Sequence, residues 1–496
     1  MTEAAMLPEP GRAMRAVSVA VACAWVALCV FCVIGFGPTV DAPAHGAELQ
    51  TLVELLKGQS DVAAHYRITF PLGYGLWAWL CLPLAWVTSG AFAVRAMLLV
   101  TLLLYPVSLM ALLKAWGRSP YMVLLGLTLA FNVSYWYGLV SGLFAQPLLF
   151  FTLAQFEVAL RAVQRRESLR KHLILLNILA ASVLLSHLLA FVVLVLLLGV
   201  RVLWQSPRVV AARVAAFGLL VPLCVSLPKA IQMAHRAVVP EGTPPTEYNL
   251  ESHYNWFIKN YKGEGRADAL VPLILGLLLV ALALREHRAR LMHQAAFAMT
   301  AAMAVLFAIT PKTLSGIFLI SVRLPVIAGA LSLLLVDFRR LPKWLVAGAL
   351  VAQGVSLLQT GEFHHRFRHE VDGLLEVMPP EVNGVAPRPP THGYLSLVGN
   401  RLLGSHHFNA EHLGQWVTAL RGGVGHDFFA DADHHIVRFT EHPLPATLAR
   451  ATEADFKQFE ALYVYGTAEL PVPLQRWPVA AHHGPWRRLE RPPEGQ

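Results

Sequence analysis

The strongest constraint on this chain is the recurrence of apolar runs, many of them close to 20 residues long, bounded by Lys or Arg and nearly free of charge inside. As helices, runs of that length match the hydrocarbon thickness of a bilayer. The first, 14–36, follows Arg12 and Arg15 and outlasts the roughly 7–15 residues of a signal h-region, so it reads as a retained span. Composition agrees: 56% of the 496 residues are hydrophobic and 14% are charged, a balance that a soluble chain rarely carries. The net charge of +9 is held in short clusters between apolar runs, the distribution that orients membrane proteins, so no nucleic-acid partner is implied. Cys23, Cys29, Cys32, Cys81 and Cys224 all lie in apolar segments, which argues for packing and against a disulfide framework.

Counting Lys and Arg beside each run gives spans near 14–36, 91–113, 119–136, 138–160, 171–186, 188–204, 211–231, 269–285, 291–310, 322–337 and 343–359. The expectation is therefore an all-α polytopic membrane domain of about 11 helices, with the N-terminus inside and the C-terminus outside. This count requires 71–87, rich in Trp77, Trp79 and Trp86, to lie at the outer interface without crossing. It also requires 171–186 and 188–204 to be two helices, which keeps the basic group at 201–213 inside.

The resulting division is a membrane domain over 1–360, with external loops at 37–90 and 235–268, and an extracytoplasmic domain over 361–496. In the tail the long apolar runs stop, and Pro and His become frequent. Short apolar runs at 393–398 and 462–465 read as strands and 409–420 as a helix, which predicts a small α/β domain.

The polar stretch 37–70 separates the first run from the interfacial one and holds Asp41, His45, Glu48, His65, Tyr66 and Arg67. An acid where a span leaves the bilayer can simply meet water, or it can take a proton from a substrate. His45 lies four residues beyond Asp41 and can share a helical face with it, orienting the carboxylate or helping to hold a metal, although Pro43 argues against a helix there. One His and two acids do not complete a metal-ligand pattern, so no metal ligand is assigned and a divalent metal stays an open question. Arg67 can clamp a phosphate or anchor the next helix at the head groups.

Lys312 and Arg323 bracket 313–322, a stretch placed outside by the charge count, where positive charge is otherwise sparse. An anionic lipid phosphate would explain them, as would ordinary head-group contact. His187 sits in an apolar surround at an outer turn, and Tyr137 belongs to an aromatic group that also fits an interfacial belt. The tail histidines, among them His406, His407, His412, His426, His434 and His435, have no fixed ligand spacing and read as a solvated surface.

The layout resembles the GT-C superfamily of integral-membrane glycosyltransferases. The residues that carry the resemblance are Asp41-Ala-Pro-Ala-His45 after the first span, Pro71-Leu-Gly-Tyr-Gly75, Asn132-Val-Ser-Tyr-Trp-Tyr-Gly138 and Ser186-His-Leu188. The resemblance covers roughly 10–360 and leaves the tail uncovered. It implies transfer of a sugar from a polyprenyl-phosphate donor to a glycan, lipid or protein acceptor on the outer face of a bacterial inner membrane. Asp41 is then the general base, and His45, Glu48, His65, Tyr66, Arg67, Tyr137, His187, Lys312 and Arg323 are substrate-binding candidates. A lipid or polysaccharide transporter and a non-catalytic assembly protein are the alternatives on the same scaffold. The first of these calls for ionisable groups in mid-span, whereas most charges here lie in loops.

Overall fold

The structure, a computed structural model, describes residues 12–70, 73–204, 208–226, 295–311, 323–335, 341–380, 388–389, 391–399, 402–403, 410–425, 435–440, 448 and 451–493. The first apolar run forms α1 (Arg12–Val33). The polar stretch after it folds into α2 (Ala42–Leu56), α3 (Ser60–His65) and β1 (Tyr66–Ile68). Then come α4 (Leu76–Val87), α5 (Gly90–Ala115), α6 (Val133–Trp136), α7 (Val140–Gln164), α8 (Arg170–Ser186) and α9 (Leu188–Leu203). They are followed by α10 (Arg208–Gly218), α11 (Ala295–Ile309), α12 (Leu324–Ser332) and α13 (Lys343–Glu370).

Among the described residues, four helical segments are long and apolar enough to cross a membrane: Ala16–Val33, Gly90–Ala115, Val140–Gln164 and Lys343–Val377. A fifth is reached if α10 and the helix Leu220–Ser226, bent by 57°, count as one span. These helices turn large apolar side chains outward, including Val19, Val107, Val351 and Leu358, at 46–75% exposure. Faces of that kind are stable against lipid and unfavourable in water. The expected span at 269–285 and the external loop 235–268 lie outside the described residues.

Two further expectations concern helix breaks. Residues 119–136 are not one helix: 3-10 turns at Pro120–Leu125 and Leu127–Phe131 precede the short α6. Gly126 sits at the junction, where a Cβ would come within 2.7 Å of Leu333. Close packing there leaves no room for a side chain at that position. The break at 187 is present, because His187 is extended (φ −161°, ψ 115°) between α8 and α9. The helix within 71–87 is only 12 residues long. At about 1.5 Å per residue it falls well short of the roughly 30 Å hydrocarbon core.

The C-terminal part contains a four-stranded sheet in the order β2-β4-β6-β5, built from β2 (His392–Ser396), β4 (Ala461–Tyr465), β5 (Val479–His483) and β6 (Trp486–Glu490). Strands β2 and β4 run parallel and the other pairs antiparallel. The short helices α14 (Leu374–Val377), α15 (Trp416–Arg421) and α16 (Glu453–Phe456) accompany it. Every residue of β4 is buried.

This part is fastened to α2 at several points. Strand β1 pairs antiparallel with β3 (Val437–Phe439), joining positions more than 360 residues apart. Arg388 binds Glu54 and Asp61 at 2.8 Å each, and the Gly423 amide donates to Glu54 at 3.1 Å. Gly46 makes the approach of α15 feasible, since a Cβ there would stand 3.0 Å from the Ala419 methyl. Hence α2 is held between the membrane helices and the tail.

Candidate active site around Asp41

Pro43 falls in the first turn of α2, where its missing N–H has no helical acceptor to lose. The helix therefore forms despite the proline, contrary to the sequence expectation, and Asp41 is its N-cap residue, with no capping bond from its side chain. The carboxylate is thus left to other groups.

Asp41 is held from behind by the turn that follows α6. Its amide donates to the Tyr137 carbonyl at 2.8 Å, and the Val40 amide donates to that of Trp136 at 3.0 Å. Gly138 allows the approach: its φ is +65°, and a Cβ there would meet the Ala42 nitrogen at 2.5 Å. Asn132 stabilises this turn by accepting from the Ser134 amide at 2.8 Å and donating to Gln146 at 3.0 Å. The aromatic stretch thus positions Asp41 through its backbone, while the Tyr137 side chain packs with Val40 and Val133.

The carboxyl is 15% exposed, with His412 Nε2 at 3.7 Å from its Oδ1. Burial pushes Asp41 up to about 8, and Glu411 adds to the rise, whereas Arg323 opposes it. Arg323, at the start of α12, donates to His187 Nε2, which must therefore be unprotonated and accept. Its Nε is buried without a hydrogen-bond partner among the described residues. The Tyr74 ring packs edge-on against His187 at 4.9 Å between centroids, and burial raises its phenol. Gly142 keeps space beside this pair, because a Cβ would lie 3.4 Å from His187 and 3.5 Å from Arg323.

His45 and Glu48 lie further along α2 and face a different group. His45 Nδ1 is 3.5 Å from Glu48, and His435 Nδ1 is 3.2 Å from both Glu48 oxygens. The Ile436 amide donates to Glu48 at 2.8 Å. Burial disfavours the Glu48 charge, but His435 and His45 outweigh it and hold the carboxyl well below the usual carboxylate range. Burial lowers His45 as well, and Glu48 offsets that only in part.

Of the sequence candidates, the structure brings Asp41, His187 and Arg323 into one neighbourhood and His45 with Glu48 into another. His65, Tyr66 and Arg67 belong to the β1 junction: the Tyr66 hydroxyl donates to the Gly425 carbonyl, and exposed Arg67 lies opposite Arg438. Lys312 lies outside the described residues, as do His406, His407, His426 and His434. The solvated reading of the tail fails for His412 and His435, each 8% exposed and directed at acids of α2. Sequence reasoning assigned no role to Glu411, Glu54 or Arg388. Tyr74 was visible only as part of the Pro71-to-Gly75 run.

No family model matches this chain, and no curated protein matches it. Among solved structures it is similar to ArnT from Cupriavidus metallidurans bound to undecaprenyl phosphate, at 14% identity and a TM-score of 0.49 over 97% of this chain and 98% of that one. The apo state of the same protein is similar at 15% identity and a TM-score of 0.48, over 96% and 98%.

Proposed function

We propose that this chain is a membrane glycosyltransferase that moves a sugar from a polyprenyl-phosphate donor to an acceptor hydroxyl at the outer face of the membrane. The observation that carries this reading is the pairing of opposite chemistries in one place. Asp41 has a carboxyl pushed up to about 8, and Arg323 is a partly buried guanidinium whose buried Nε has no hydrogen-bond partner among the described residues. A base works best when its pKa lies near the working pH, and a departing phosphate calls for fixed positive charge.

In the proposed step the acceptor oxygen attacks the anomeric carbon while the bond from that carbon to the phosphate oxygen breaks. The acceptor proton passes to Asp41, and both electrons of the broken bond leave with the polyprenyl phosphate. Arg323 binds that phosphate, and His187 orients the guanidinium through the hydrogen bond it accepts. A single displacement inverts the anomeric centre. His412 is placed to orient the Asp41 carboxylate, standing 3.7 Å from it.

The test uses cells lacking the protein, complemented with wild type or Asp41→Asn at matched expression and profiled for polyprenyl-phosphate sugars and surface glycans. Transfer predicts that wild type restores a missing glycan and that the variant accumulates the lipid-linked sugar. Equal restoration by both would remove Asp41 as the base and favour transport or assembly.

A further inference from the structure

We propose that His45, Glu48 and His435 bind one divalent transition metal ion of the zinc class, and that the ion fastens segment 435–440 to α2. The inference is independent of the transferase reading, since none of the three takes part in the step written above.

One ligand atom from each residue lies within 4.8 Å of the other two. The separations to Glu48 Oε2 are 3.5 Å from His45 Nδ1 and 3.2 Å from His435 Nδ1. Tetrahedral ligands at about 2.0–2.1 Å from zinc stand about 3.3 Å apart. Two edges of such a shell are therefore already present, meeting at the one carboxylate oxygen that faces both imidazoles. The other oxygen, Oε1, accepts the Ile436 amide at 2.8 Å. An outer hydrogen bond of this kind fixes the orientation of a ligating carboxylate.

The local sequence supplies the first two groups at i and i+3, on one face of α2. The third arrives from 387 residues away, where the chain enters β3. All three are at most 8% exposed, and Trp77 packs edge-on against His45 at 5.0 Å between centroids. Two imidazoles with one carboxylate are a donor set that zinc accepts, with a fourth position left over. Glu48 has imidazoles as its ion-pair partners among the described residues, so a dication would balance its charge without requiring either ring to be protonated. The competing account is a chain of proton-shared contacts, His45 to Glu48 to His435, with no ion.

The full-length protein, carrying no polyhistidine tag and kept in detergent, is stripped with a chelator and titrated with Zn²⁺ and, separately, Co²⁺. Metal content and thermal midpoint are read at each step. Wild type is expected to take up one equivalent, to gain several degrees on zinc addition, and to give the visible bands of four-coordinate Co²⁺. Glu48→Gln and His435→Ala are expected to lose that equivalent, while His482→Ala, at an exposed position of β5, keeps it. The wild-type series decides the matter even if a variant fails to fold. Stripped wild type with no stoichiometric uptake and an unchanged midpoint would overturn the proposal. Equal uptake by His435→Ala and wild type would overturn it too.

Discussion

Asp41 and Glu48 lie seven residues apart, about 10 Å of helix rise, yet α2 presents them to opposite environments. Asp41 meets the Glu411 carboxyl, the Arg323 cation and little water, and burial with the neighbouring acid lifts its carboxyl to about 8. Glu48 is more deeply buried, but two imidazoles and a backbone amide surround it, and its carboxyl falls. Burial alone therefore does not decide the state of a carboxyl. The groups that replace water do, and they suit one acid to proton transfer and the other to holding structure together.

The largest way to break this contrast is Asp41→Asn. The variant should lose about 10³-fold in transfer rate, measured with the membrane fraction's own lipid-linked sugar. It should also be at least as stable as wild type. A carboxyl whose folded pKa is raised destabilises the native state progressively as pH climbs from its ordinary value of 3.8 towards about 8. The melting difference in favour of Asp41→Asn should therefore widen over that window and level off above it.

Gly138→Ala should come next. The residue needs a positive φ, and an added Cβ meets the Ala42 nitrogen, so the turn behind Asp41 must shift. About 10² in rate should be lost, a size typical of misplacing a reacting group by an ångström. Glu48→Gln acts on stability, lowering it by about 3 kcal/mol because two imidazoles and an amide lose their charged acceptor. Thermal unfolding checks that figure.

The smallest effects, displacements of the pH–rate profile, are also the most selective. Arg323→Gln removes a cation that lowers Asp41, so the alkaline rise in activity should move to higher pH as well as weaken. Glu411→Gln removes an anion that raises it, so the same rise should move to lower pH, with little loss at its plateau. Opposite displacements in paired pH–rate profiles would sharpen the assignment of Asp41.

What was legible in the sequence was what local spacing encodes. The apolar runs gave α1, α5, α7 and α13, and the charge count, which keeps the basic group at 201–213 inside, called for the break at His187. Asp41, His187 and Arg323 stood out as ionisable groups at the ends of such runs. The turns at 120–131 were hidden because a 3-10 segment has no apolar period distinct from a buried helix. The helix through Pro43 was hidden because its first turn had to be located before the proline could be judged harmless. The pairings of His412 with Asp41 and of His435 with Glu48 cross more than 360 residues, and nothing in a histidine-rich tail specifies its partner.

The most direct measurement is the initial rate of sugar transfer by reconstituted wild type and Asp41→Asn across about pH 6 to 10. The account predicts a wild-type rate that climbs close to tenfold per pH unit and levels near pH 8, with the variant flat and about 10³-fold below the wild-type plateau. A variant that keeps the wild-type rate and the wild-type profile would contradict it.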